Sequence, residues 1–140
     1  MSIVQAMCAS FKEQLLTGVH DFSTHTFKIA LYTDSAVLSA ATEAYVSTGE
    51  VSGSGYTAGG ATLEVASTTV SNGAALVDFS DVSWSTATFS ARGALIYNSS
   101  VEGNPAVAVL DFGADRTPGG STFTVQFPAP TSETAIVRIV

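Results

Sequence analysis

Cysteine, basic side chains and long apolar runs are all scarce in this chain of 140 residues, and each shortage removes a class of explanation. The single cysteine, Cys8, cannot form an intrachain disulfide, so stability has to come from packing or oligomerisation. The five Lys and Arg residues stand alone at Lys12, Lys28, Arg92, Arg116 and Arg138, against twelve acidic residues and a net charge of −7. Nucleic-acid binding needs clustered cations to displace counterions from phosphates, so that class is excluded. Polar residues Gln5, Lys12, Glu13 and Gln14 break up the N-terminal segment, which also lacks a basic leader region. Neither a signal peptide nor a membrane span is expected there, and the whole chain is read as the mature protein. Asn98-Ser99-Ser100 matches the glycosylation pattern only by chance on that reading. Charged residues make up only 12% of the chain, which leaves small hydroxyl and apolar side chains to carry the surface. Such an exterior suits a protein that lies against a partner.

Catalytic and cofactor patterns are missing too. The stretch VSGSGYTAGGATL, Val51 to Leu63, is rich in glycine, but no lysine follows it and a strand pattern, Ala61 to Val65, comes next. A phosphate cradle would run into a helix, so the glycines are read as positive-φ positions in an exposed connection. His20 and His25 in HDFSTH fit no zinc spacing and are read as loop histidines. Asp78 and Asp81 lack both the dense oxygen ligands of a calcium loop and a feature that would hold one of them protonated. They are read as strand-end residues. No serine stands in a GxSxG elbow, and nothing marks a base beside Cys8. The expectation is a protein without catalytic residues, cofactor or metal.

What the chain does have is periodicity. Val4, Met7, Phe11, Leu15 and Val19 recur at three- and four-residue steps, which predicts an amphipathic helix of three to four turns ending near Gly18. Its apolar stripe either packs on its own domain or serves as a docking arm. From Thr26 the period becomes two: Phe27, Ile29 and Leu31, and later Phe123, Val125 and Phe127, mark strands with one buried face. Ala106 to Leu110 is apolar throughout, so it should be a central strand covered on both sides or facing a neighbouring subunit. Shorter β-rich runs fall at Ala61 to Val65, Ala75 to Phe79, Thr88 to Ala91, Ala94 to Asn98 and Ala135 to Ile139. Turn chemistry at Asn72-Gly73, Gly103-Asn104-Pro105 and Pro118-Gly119-Gly120 spaces them. Residues Ser35 to Tyr45 read as a short helix capped by Ser35. The expected architecture is mainly β: one antiparallel β-sandwich or small barrel, jelly-roll or immunoglobulin-like, over 1–140. It has a helical arm over 1–19 and a β-rich body over 26–140.

The segments FKIALYT, EVSGSGYTAGGATL, VDFSDVSW, ARGALIYNSS and VAVLDFGADRTPGGSTFTVQFP, in that order, resemble a family of small structural proteins of tailed bacteriophages. The resemblance spans nearly the whole chain and rests on strand and turn segments. It implies a virion protein made in the bacterial host cytoplasm. One place for it is the capsid surface, as a decoration or cement protein contacting the major capsid protein, itself a homo-oligomer. The alternative is a tail, neck or fibre component, such as a receptor- or glycan-binding β-sandwich whose rim Tyr56, Trp84, Asp78 and Asp81 would supply. An enzyme of the lysin kind is a third class, disfavoured by the missing acid pair. Candidate interface residues are Val4, Met7 and Phe11 on the N-terminal stripe, Tyr56 in the glycine-rich connection, and Trp84, Arg92 and Tyr97 in the aromatic- and arginine-bearing stretch, where such residues serve as anchors.

Overall fold

A computed structural model describes residues 2–139. In chain order its elements are β1 (Ala6–Met7), α1 (Ala9–Leu16), β2 (Phe27–Tyr32), β3 (Ala61–Leu63), β4 (Val65–Ser71), β5 (Ala74–Phe79), β6 (Val82–Trp84), β7 (Ala91–Asn98), β8 (Ala106–Arg116), β9 (Phe123–Val125) and β10 (Val137–Ile139). The protein is mainly β. Its strands form a five-stranded sheet in the order β1-β8-β7-β2-β3, a three-stranded sheet β10-β5-β4 and a two-stranded sheet β6-β9. Every strand pairing is antiparallel, and no sheet closes on itself.

Apolar alternation explains the middle of the large sheet. Phe27, Ile29 and Leu31 of β2 are fully buried, and β2 pairs along its whole length with β7, Phe27 opposite Asn98 and Tyr32 opposite Gly93. Ala106 to Leu110 is buried on both faces, as its uninterrupted apolar run predicts, and lies between β7 and β1. One continuous core takes residues from all three sheets, including Ile29, Leu95 and Val109 from the first, Val77 and Val137 from the second, and Trp84 and Phe123 from the third. The Asn72-Gly73 turn joins β4 to β5 with φ of +50° and +80°, the geometry a two-residue hairpin with right-handed twist demands.

The structure corrects the sequence reading in four places. The N-terminal helix is shorter than the stripe implies: Met7 lies in β1, Val4 precedes it outside any element, and only Ala9–Leu16 is helical. The outer edge of β8 takes up the preceding residues, with Ala6 opposite Val109, Met7 opposite Ala108 and the Cys8 N–H donating to the Val107 carbonyl. Backbone pairing with a sheet edge outweighs a few residues of helical periodicity. At its other end the helix stops where Gly18 predicts: Gly18 N–H bonds the Leu15 carbonyl and Val19 N–H bonds Gln14, with Gly18 at φ +76°. Residues 35–45 are turns instead of a helix, because Leu38 exchanges backbone bonds with Ser2 and Val4 while Ser39 and Thr42 bond locally. Thr88 is loop, and the two short runs around residues 88–98 are one strand from Ala91. Finally β4 beyond Val65 and the whole of β6 went unread, since VASTTVS has almost no apolar face to alternate and VSW is only three residues long.

The N-terminal segment is folded in. Ile3 packs against Gly93, where an added Cβ would lie 2.8 Å from the Ile3 side chain. The accessible surface, 6906 Å², is close to the roughly 6,800 Å² expected of a compact domain of this mass.

Candidate interaction surface

The residues singled out in the sequence are separated by the fold. Phe11, at 0% exposure, packs edge-on to Phe22 and beside His20, so it anchors α1 to its own domain. Trp84, 7% exposed, lies among Tyr56 and Phe123, and Tyr97 is buried beside Tyr45. Arg92 pairs with Asp111 on the neighbouring strand at 3.5 Å, with about a third of each side chain exposed. Val4 remains 53% exposed and Met7 is half-buried.

Sequence reasoning missed a cluster built on the glycine-rich connection. All four tyrosines of the chain converge around Glu50. Its carboxylate accepts from the Tyr45 hydroxyl at 2.6 Å, from the Tyr56 hydroxyl, and from the Gly59 N–H at 2.8 Å. Tyr56 in turn accepts the Leu31 N–H, Tyr97 donates to the Gly59 carbonyl at 2.5 Å, and Tyr32 donates to the Val46 carbonyl. Burial, reinforced by the nearby carboxylate, raises all four phenols above their usual range, so they act as neutral donors. With its donors satisfied, the cluster latches residues 45–60 onto β2. The positive φ of Gly53, Gly55, Gly59 and Gly60 matches the sequence expectation, but the connection is packed down at its ends, with Val51 buried. A lone Glu and four tyrosines scattered over 66 positions carry no local signal that would have found this.

A second network joins the two histidines. Asn98, fully buried, accepts the Ser100 N–H through Oδ1 and donates through Nδ2 to His20 Nδ1 and His25 Nδ1, each at 3.0 Å. His20 Nε2–H donates to Gln14 Oε1 at 2.8 Å, and the Asp21 N–H donates to His25 Nδ1. His20 is therefore a structural histidine in its neutral form, and burial, followed by the proximity of His25, lowers its pKa. Among the described residues no three His, Cys, Asp or Glu side chains gather as metal ligands. The buried Cys8 thiol is pushed up to about 11 by desolvation, only partly offset by Lys12, which leaves it unreactive near neutral pH. No described helix is long and apolar enough to cross a membrane.

The accessible feature that stands apart from these networks lies between the edges of two sheets. A cleft of about 330 Å³ opens between β1 and β10, with Met7 and Val109 on one side and Ile136 and Arg138 on the other. It adjoins an apolar hollow formed by Met7, Leu15, Leu16 and Ile139, with Lys12 and Arg138 beside it. Leu16 is 88% exposed there, on a helix whose one buried residue is Phe11. Two of the five cations of an acidic chain thus border its apolar hollow. No family model matches the chain, and neither does any curated protein or solved structure.

Proposed function

We propose that this chain is a non-enzymatic structural protein of a tailed-phage virion, a decoration protein that binds the outside of the head and stabilises contacts between capsomers. The observation that carries the reading is the hollow at Met7, Leu15, Leu16 and Ile139, flanked by Lys12 and Arg138. Exposed apolar side chains ringed by cations offer a seat for an apolar strip bearing carboxylates, and a surface otherwise poor in charge suits repeated packing against a lattice. The segment resemblance to phage structural proteins points the same way. In this reading the two smaller sheets stack on the five-stranded sheet as a sandwich, which the core shared by all three supports. Such a clamp stabilises whichever lattice state it binds by its own binding free energy, and an oligomeric clamp multiplies weak contacts. The sugar-binding alternative loses its platform, since Trp84 is packed inside and the Tyr56 hydroxyl is committed to Glu50.

Immunogold electron microscopy of purified virions provides the test, together with head-loading of Leu16→Asp. Even label over heads, with loading by the variant reduced at least roughly tenfold while its melting temperature is unchanged, is the expected result. Label confined to the tail, or none on intact particles, would overturn the proposal.

A further inference from the structure

Edge strands govern how a sheet meets other chains, because each presents a row of backbone N–H and C=O groups without partners. Most edges here are short: β1 has two residues, and β3, β6, β9 and β10 have three each. β4 differs. It runs seven residues at the edge of the three-stranded sheet and is exposed along almost all of them, with Val70 77% exposed. Two protections usual for such an edge are missing, since no charged residue and no proline occurs between Val65 and Ser71, and the register shift at Ala66 disturbs only its first two residues. By contrast, the stretch of β8 left uncovered by β1 carries Asp111, Asp115 and Arg116 and bends at Gly113, φ +82°.

The hairpin decides where the β4 backbone points. A two-residue turn makes Ser71 and Ala74 the closing hydrogen-bonded pair, and the antiparallel alternation then turns Ser67 and Thr69 toward β5. The N–H and C=O groups of Thr68 and Val70 therefore face outward.

We infer that β4 is the seam through which two copies of this chain pair, antiparallel about a two-fold axis at Thr68, merging their three-stranded sheets into one. Around that axis Thr68 meets Thr68 and Ser67 meets Thr69, so hydroxyls oppose hydroxyls at the centre, and the regular ladder ends on each side where Val70 reaches the register shift at Ala66. The outward groups of Thr68 fall opposite their own copies, which is the parity an antiparallel ladder requires. Charge selects this edge as well. At a net charge of −7 two copies repel through most faces, whereas Val65 to Ser71 carries no charge and so brings no carboxylates face to face. Each copy uses up its edge, so association stops at the dimer. A seam this narrow gives a dissociation constant of about micromolar or weaker.

Sedimentation equilibrium of the full chain, from about micromolar to about millimolar protein, reads the association directly. Thr68→Pro removes an outward N–H without touching a bond to β5, and it is expected to weaken dimerisation roughly tenfold or more while the fold persists. Should that variant unfold, Val70→Lys tests the same edge with a protective charge. Thr68→Cys should cross-link to itself on oxidation, because facing Cα atoms about 5.5 Å apart are within disulfide reach and Cys8 is buried. Ser71→Cys should not. A chain that stays monomeric throughout, a dimer indifferent to both edge variants, or a dimer that Thr68→Cys fails to cross-link would each overturn the inference.

Discussion

At the scale of single residues, Gly60 bears the tightest constraint. Its φ is +84°, and a Cβ added there would lie 1.8 Å from the Ile29 carbonyl oxygen, inside the backbone of a central strand. Glycine is required twice over, for its handedness and for its missing side chain. Gly60→Ala is expected to cost several kcal/mol, on the order of 3 or more, read as a large fall in the denaturant midpoint. Gly119 has open space around it, so Gly119→Ala should cost only about 1 kcal/mol. Equal effects at the two sites would show that the contact with β2 is not what matters. Composition alone pointed to positive φ in this stretch. Which glycine abuts another strand depends on a partner thirty-one positions earlier.

Among elements, the connection from β2 to β3 is long and irregular, and Glu50 is what holds it. Glu50→Gln replaces one acceptor oxygen by an amide donor facing the Tyr45 or Tyr56 hydroxyl, leaving a donor against a donor. A loss of roughly 1–3 kcal/mol is expected, with faster amide exchange over residues 45–60 and little change in the exchange of β7 and β8. Uniform acceleration across the sheet would instead make Glu50 a global determinant. Strands β2, β5 and β9 were legible because alternating apolar residues fit a half-buried pleat. The start of α1 was not, because the competing β8 edge lies about a hundred residues away. Deleting residues 1–18 would consequently remove β1 and Phe11 with the helix, so point changes such as Leu16→Asp are the cleaner probe of docking.

For the whole molecule, acid should act through the histidine network. The folded-state pKa of His20 lies below its ordinary value, so between that pKa and about 6.5 the unfolded chain binds more protons than the folded one. Stability is therefore full above about 6.5 and falls as the pH drops, since a proton on His20 Nδ1 would face the Asn98 amide donor. The melting temperature should decrease from pH 7 to pH 5, and His20→Gln should flatten that slope in addition to its own packing cost. Lys12, Glu13, Asp21 and His25 are the other titratable groups from Lys12 to His25, which makes the difference between wild type and variant the quantity to compare. An unchanged slope in the variant would assign the acid sensitivity elsewhere.

By itself the sequence determined the mainly β character, the turn at Asn72-Gly73, the helix stop at Gly18 and the burial of Ala106 to Leu110. Each of these follows from local backbone preference or from the period of apolar residues, which act over a few positions. The tertiary structure alone decided that Phe11, Trp84 and Tyr97 face inward, that four tyrosines gather around Glu50 with two of them bonded to its carboxylate, and that two histidines meet one asparagine. It also decided that a strand of small hydroxyl residues ends a sheet. Those outcomes depend on which distant backbones come together, and neither hydropathy nor spacing along a chain encodes that pairing on its own.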